Sequence, residues 1–517
     1  MHKKDFFAGK AILLATAILL IMGTTMTNAE SRGNHNASVA KNLEIFNEIY
    51  RMLDLFYVDT LSADTVMQWA IDGMLRKVDP FTEYYPQESE DLRQLATGKY
   101  AGIGAVIRYM KSLERTVIAE PYYDTPSSRA GLQSGDIIIS VDGVDVKGMD
   151  TQKVSQMLRG EAGTTLQIVY QTPDGNTLET TITRETIQLP SLPYYGIIDN
   201  GVGYVYLTSF TEGCAREVRA AVAELKRQGA TRLLLDLRGN PGGSLNEAVD
   251  VVNIFVNKGE RVVYTKGKIG PANHEYLTTT DPIDTRMPVI VLVNGGTASS
   301  AEIVSGSLQD LDRAVVIGSR TYGKGLVQAV RSLNSGGSIK VTTSRYYIPS
   351  GRCIQAHDYR HDGTESTVPD SLQKTFHTRN GREVKDGGGI MPDIRLPKDS
   401  AGIGYWKALN SEAFFNWCVR HARSNAAPQD VNDIHITEED YEDFTQYLLQ
   451  NDSTLSADTL TKYRERITYD LEVELATRYF WTPGAVRLAA LRDEGITEAR
   501  RLLMDDERMK AILRKNK

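Results

Sequence analysis

Pro288-Val-Ile-Val-Leu-Val-Asn294-Gly-Gly-Thr-Ala-Ser299-Ser300-Ala-Glu-Ile303 passes from a short apolar run, through two glycines, into helical spacing. Five apolar residues between a proline and an asparagine read as a buried parallel strand. Beyond Ser300, the residues Ile303, Val304, Leu308 and Leu311 fall on one helix face. Ser299 is therefore expected at a strand-to-helix turn, where free backbone N–H groups favour negative charge. An ordinary serine cap suits that place, and so does a nucleophile beside which an oxyanion forms.

Outward from this turn, residues 201–350 alternate between the two periods. Val202 to Leu207, Leu233 to Leu237, Val289 to Val293 and Val315 to Ile317 are strand-like, whereas Cys214 to Gln228, Leu245 to Val256 and Ser300 to Leu311 are helix-like. That alternation predicts an α/β layer with parallel strands. The second strand runs into Arg238-Gly-Asn-Pro241-Gly242-Gly243-Ser. Its glycines let the backbone approach a ligand and present N–H groups. The turn lacks a P-loop lysine and Walker spacing. It reads either as chain punctuation or as one donor of an oxyanion hole, with the Ser300 N–H as the other.

A serine hydroxyl needs a base. None of the eight histidines has a recognisable triad context. Lys324, between Gly323 and Gly325, follows a strand end, where α/β active sites gather. It reads either as an exposed loop lysine or as a base whose pKa desolvation lowers. Gln328, four residues on, can hold its amine without adding charge.

The chain of 517 residues is too long for one core and predicts several domains. A net charge of −7 without a dense basic patch argues against nucleic acid as a partner. Cys214, Cys353 and Cys418 show neither metal spacing nor a disulfide framework, and no cofactor or metal is expected. Lys3-Lys4 and Lys10, the apolar run Ala11 to Met22 and the small residues before Glu30 form an export-signal pattern over 1–29. The expectation is an exported, periplasmic or envelope protein. Membrane contact would follow only from an uncleaved signal.

Residues 30–37 read as a linker, and 38–77 as two amphipathic helices in a helical region over 30–94. Their apolar faces suit another domain, a homodimer or an adaptor. A β-rich module follows at 95–185, with strands after Gly102-Ile103-Gly104, a helix at Asp150 to Leu158 and a Pro173-Asp-Gly turn. From 397 to 517 the chain is helical, with charged stripes read as solvated faces and Thr482-Pro483 as a helix start.

Asp236-Leu-Arg238-Gly-Asn-Pro-Gly-Gly243, Thr297-Ala-Ser299-Ser-Ala-Glu302, Gly323-Lys324-Gly-Leu-Val-Gln328 and Pro349-Ser-Gly-Arg352-Cys-Ile-Gln355 occur in order. Together with Val78-Asp-Pro-Phe-Thr-Glu-Tyr85 they resemble the carboxyl-terminal processing peptidases, S41-family serine proteases with a PDZ domain. The resemblance covers residues 40 to 396. It departs in Ser-Ser-Ala, where Ser-Ala-Ser is commoner, and in Cys353, where a hydroxyl residue is common.

The resemblance implies a crotonase/ClpP-like α/β protease core over 186–396, within a multidomain α/β chain that has helical N- and C-terminal regions. It implies Ser299 as nucleophile, Lys324 as general base and Gln328 as its orienter, with Gly242 or Gly243 plus Ser300 as the oxyanion hole. It further implies that Gly102, Ile103 and Gly104 bind a peptide C-terminus, and that Arg159 couples the PDZ domain to the protease. The substrates implied are proteins or peptides with accessible C-termini. Two alternatives stand beside it: a non-catalytic PDZ scaffold, against which the intact Ser299, Lys324 and Gln328 argue, and a crotonase-like acyl-CoA enzyme, against which the inserted module and signal argue.

Overall fold

The computed structural model describes residues 35–86, 90–359, 365–397 and 401–514. The signal read over 1–29 lies outside the described residues. The chain forms two units, the first ending at Lys77 and the second running from Val78 onward. In the first, a helix over 35–56 begins inside the stretch read as a linker, and Ala63–Leu75 follows. Leu43, Phe46, Ile49, Leu53 and Phe56 on the first helix are exposed. Among the described residues no helix is long and apolar enough to cross a membrane.

The second unit is built on a six-stranded sheet in the order Tyr194–Asp199, Val202–Tyr206, Arg232–Asp236, Val289–Val293, Val315–Gly318, Ile394–Arg395. The first pair is antiparallel and the rest are parallel. Alternate residues of each strand feed different cores. Leu233, Leu235, Val289, Val291 and Val293 pack with the helices Cys214–Arg227, Leu245–Val252 and Ser300–Asp310. Leu234, Ile290, Leu292 and Ile317 face the other way, onto Ala490, Ile496, Ala499, Leu502 and Leu503 of the chain's last helices. The continuous apolar runs are what a sheet covered on both faces requires.

The tail thus supplies a structural layer, which its reading as solvated helix faces did not include. It also has a core of its own, around Trp417, Phe444, Leu471 and Leu488. Asp493 receives Arg238 at 3.1 Å, and Arg238 also holds Asp236 at 2.7 Å, so the tail is pinned to the end of the Arg232–Asp236 strand.

A second sheet is antiparallel. It orders Glu83–Tyr85, Ser338–Tyr347, Arg261–Gly267 and His274–Leu277, and Leu326–Ser332 also pairs with Ser338–Tyr347. Glu83 lies opposite Lys340. A piece of the region read as N-terminal and helical is therefore an edge strand of this sheet.

The β-rich module has the strand order Ala105–Met110, Arg115–Pro121, Ile137–Val141, Thr165–Gln171, Thr177–Thr183, with the helix Thr151–Leu158 beside it. Its core includes Ile103, Ile118, Ile138, Val154, Leu158 and Ile168. The tail grips its outer side. Met110 and Val117 pack with Phe415 and Val419, Arg423 pairs with Asp136 at 2.7 Å, and Thr482 donates to Glu120 at 2.8 Å. The last contact comes from a kink. Helical dihedrals break at Phe480 and Trp481, just before Pro483, which cannot continue a hydrogen-bonded ladder. Trp481, at φ 55°, then meets the Tyr123 ring edge-on at 4.7 Å.

Candidate active site

Ser299 caps the wholly buried helix Ser300–Asp310 with φ 56° and ψ −117°. A non-glycine residue held at positive φ costs about 1–3 kcal/mol and persists only where its surroundings fix it. Here the fixing is visible on several sides. Asn240 accepts the Ala298 N–H at 2.9 Å through its carbonyl, and Thr297 donates to the Leu237 carbonyl at 2.8 Å. Ser300 Oγ donates to the Gly243 carbonyl at 2.9 Å. The glycine-rich turn and the serine turn are therefore laced edge to edge.

Gly242 cannot carry a side chain in this arrangement. A Cβ there would lie 2.8 Å from Ser299 Cβ and 2.9 Å from the Ser300 nitrogen, and its φ is +100°. The N–H of Gly242 is given to Asn240 Oδ1 at 2.8 Å. The N–H of Gly243 makes no hydrogen bond among the described residues. Of the two glycines read as donors, Gly243 has the free N–H, and Gly242 supplies the clearance.

Lys324 stands just before the strand Leu326–Ser332. Its backbone is tied to that of Ser299 twice. The buried Glu302 carboxylate accepts the N–H groups of Ser299 at 2.8 Å, Gly323 at 2.7 Å and Lys324 at 2.9 Å, together with the Thr321 hydroxyl at 2.5 Å. The buried Tyr346 hydroxyl lies 2.6 Å from the Lys324 carbonyl oxygen and 3.2 Å from that of Ser299. A carboxylate below and a phenol above thus clamp both peptide segments. The sequence assigns no role to either residue, although Glu302 falls within the Thr297–Glu302 motif. For Glu302 a signal existed: Ser-x-x-Glu at a helix start is a capping box.

Burial lowers the Lys324 pKa, and the nearby Lys340 lowers it further, while Asp79, Glu302 and Glu83 oppose them. Burial also pushes the Glu302 carboxyl up to about 7, against the donors that favour its ionised form. The Lys324 ammonium rests 4.2 Å from the centre of the Phe81 ring. It makes no hydrogen bond to Ser299. Gln328 Nε2 donates to Thr342 Oγ1 at 3.1 Å, so its amide is engaged beside Lys324 and not on it.

In the β-rich module, Gly102 ends the strand Lys99–Gly102, Ile103 is buried, and Gly104 turns the chain at φ 77°. The Gly104 carbonyl accepts the Tyr122 N–H at 2.9 Å and the Thr125 and Ser127 hydroxyls at 2.9 and 2.7 Å. The N–H groups of Ile103 and Gly104 make no hydrogen bonds among the described residues. Beside them is a cleft of about 120 Å³ lined by Tyr100, Ile103, Ile107, Tyr122, Leu158 and Arg159, with Gln94 and Leu189 from the connecting segments. It lies between the strand Ala105–Met110 and the helix Thr151–Leu158, the geometry in which a peptide adds as a strand. Arg159 closes that helix, its guanidinium 5.1 Å from the Tyr100 ring centre.

Comparison with known proteins agrees with this division. Residues 201–369 match the model of peptidase family S41, and residues 117–172 match a PDZ domain model. The chain is 30% identical to a carboxy-terminal-processing protease of Bartonella bacilliformis, over 84% of this chain and all of the relative. It is 32% identical to a protein of Staphylococcus epidermidis named as a probable CtpA-like serine protease, over 71% of this chain and 75% of that one. Among solved structures it is similar to a photosystem II D1 C-terminal processing protease, at 27% identity over 69% of this chain and 93% of that one, with a TM-score of 0.37.

Proposed function

Because this chain belongs to peptidase family S41 and is a serine peptidase with a PDZ domain, we propose that it cleaves proteins by a Ser299–Lys324 dyad after its PDZ domain takes up their C-termini. The observation that carries the reading is the double clamp. Glu302 and Tyr346 hold the backbones of Ser299 and Lys324 together, beside two N–H groups, those of Gly243 and Ser300.

In this reading the neutral Lys324 amine takes the Ser299 Oγ proton as Oγ attacks the scissile carbonyl carbon. The carbonyl oxygen becomes an oxyanion that accepts from the Gly243 and Ser300 N–H groups. Collapse breaks the C–N bond, and the Lys324 ammonium returns its proton to the leaving amine. Water, deprotonated by the same amine, then hydrolyses the acyl-enzyme. Gln328 orients the amine once it turns toward Ser299. Burial lowers the Lys324 pKa and so enlarges the fraction of neutral amine.

A terminal carboxylate fits the free N–H groups at Ile103 and Gly104, and Arg159 lines the same cleft. Export by the 1–29 signal and self-association through the exposed apolar helix over 35–56 belong to the same reading.

The test is a gel assay on unfolded substrate with a free or an amidated C-terminus. Ser299→Ala removes cleavage by several orders of magnitude while the fold is kept. Lys324→Arg is equally inactive, because arginine stays charged. Amidation slows the wild type. A Ser299→Ala variant with near wild-type cleavage sinks the dyad. Equal rates on both termini sink C-terminal recognition and leave the dyad standing.

A further inference from the structure

The clamp fixes the backbones of Ser299 and Lys324, so the remaining freedom between them lies in the Lys324 side chain. That side chain has a definite place. Its ammonium sits over the face of Phe81, 4.2 Å from the ring centre, and among the described residues it makes no hydrogen bond or ion pair. The ring itself is held. Asp79 Oδ1 accepts the N–H groups of Phe81 and Thr82, both at 2.8 Å, and Asp79 Oδ2 accepts the Thr82 hydroxyl at 3.1 Å. Thr82 Oγ1 in turn accepts the Thr342 N–H at 3.3 Å, and Thr342 Oγ1 is the atom that Gln328 holds. The Tyr359 ring meets Phe81 in a T-shaped contact, the ring centres 5.7 Å apart. One short turn, residues 79–82, therefore holds the ring under Lys324 and, through Thr342, the amide of Gln328.

Resting on the dyad reading, we propose that Phe81 is a positioning residue for Lys324: its ring parks the protonated amine away from Ser299, and the amine must leave the ring to act as base. The physical reason is selectivity for charge. An aromatic face attracts an ammonium through its quadrupole and has no comparable hold on a neutral amine. Phe81 thus favours the form of Lys324 that cannot accept a proton. Its bulk has the opposite effect, since it excludes water from the ammonium. The other charged groups facing Lys324 are Lys340, Asp79, Glu302 and Glu83. None of them is altered by substitutions at Phe81, so the two effects of the ring can be separated there.

The experiment uses the full chain and two readouts across pH 6–10. One is casein cleavage, and the other is the rate at which a fluorophosphonate phosphonylates Ser299, which needs no PDZ ligand. Phe81→Leu keeps apolar cover and removes the ring face. Its acid limb moves to lower pH by about 0.5–1 unit, the rate near pH 7 rises about three- to tenfold, and the high-pH plateau is unchanged. Phe81→Ala admits water and moves the limb the other way. Phe81→Trp, with a stronger face, also moves it upward, which keeps the test informative if the smaller variants fold poorly. A Phe81→Leu limb that stays in place or rises, or a Phe81→Trp limb that falls, overturns the proposal. Lys324→Arg read in parallel separates the two ideas. Activity surviving in that variant removes the lysine base itself, whereas an inactive Lys324→Arg with an unmoved Phe81→Leu limb removes only the parking role.

Discussion

Ser299 and Lys324, the proposed nucleophile and base, ride on two sheets of opposite construction. Val289–Val293, which delivers Ser299, is buried at every position, and so is the helix that Ser299 caps. Leu326–Ser332, which begins beside Lys324, is buried at its first residue and exposed at its last three. The first sheet is parallel apart from its first pair and is covered on both faces by helices. The second is antiparallel and reaches across the chain to Glu83–Tyr85. The difference teaches where precision is built in. A strained serine can be held only by dense packing. The lysine, which in the proposed mechanism changes both place and charge, stands on a lighter frame, joined to the first by Glu302 and Tyr346.

Removing the cover of the nucleophile sheet breaks the comparison most severely. A chain ending at Leu396 exposes Leu234, Ile290, Leu292 and Ile317, and it is expected to yield no soluble, active protein. The finer version is a pair of single changes. Leu292→Ala costs about 2–5 kcal/mol of stability. Val330→Ala, on the exposed part of the base-bearing strand, costs less than about 0.5 kcal/mol. Denaturant melts of the two variants decide it, and equal losses would mean that the sheets do not differ in the way described.

The next largest effect is at the seam. Gly242→Ala places a methyl group within 2.9 Å of Ser299 Cβ and the Ser300 nitrogen, at a φ of +100°. If that seam sets the oxyanion geometry, kcat/KM falls about 100-fold or more, with thermal stability reduced far less. Active-site titration with a fluorophosphonate separates this from unfolding. Unchanged turnover would show that the glycine turn is only structural.

Glu302 tests the joint between the sheets. Each of its oxygens accepts two donors, so Glu302→Gln turns an NH2 group toward two other donors. Losing that pairing costs about 1–3 kcal/mol and lowers the rate about 10- to 100-fold. The pH dependence has a sign. The folded-state pKa, pushed up to about 7, lies above that of an unfolded glutamate, so the folded protein binds this proton more tightly. Its contribution to stability is full below about pH 4 and is lost as pH rises through 7. Glutamine has no such slope. The melting temperature of the wild type, measured against that of the variant, should fall between pH 4 and pH 7.5. A flat difference would place the Glu302 proton elsewhere.

Legibility in the sequence followed the range of the interactions. Strand, turn and helix from Pro288 to Leu311 were readable because each is set by neighbours in the chain. Ser299, Lys324 and the two glycines could be singled out because unusual residues at strand ends are local signals. The tail's charged stripes conceal its role, yet the apolar residues on both faces of Val289–Val293 require two covering layers, and the tail supplies one of them. Glu302 in a first helical turn looks like ordinary dipole compensation, and only the fold brings residues 321–324 onto its oxygens. Phe81 and Asp79 fall within Val78–Tyr85, a segment whose local sequence carries no chemistry of its own. Their meaning depends on Glu83 pairing with Lys340, a register that no local pattern announces.

The smallest expected effect concerns that register. Lys340 pairs with Glu83 across the edge strand, and its charge helps to lower the Lys324 pKa. Lys340→Met keeps the length and apolar stem of the side chain and removes the charge. Two consequences add. A repulsive cation near Lys324 disappears, and Glu83, released from its partner, acts more strongly as a favourable anion. Both raise the Lys324 pKa. The acid limb of the pH–rate profile should therefore move upward by about half a pH unit, with the plateau kept, because the half-exposed position of this pair screens the interaction. A Glu83→Gln variant should move the limb downward through the opposite charge. If neither limb moves, the edge strand is mechanical support alone.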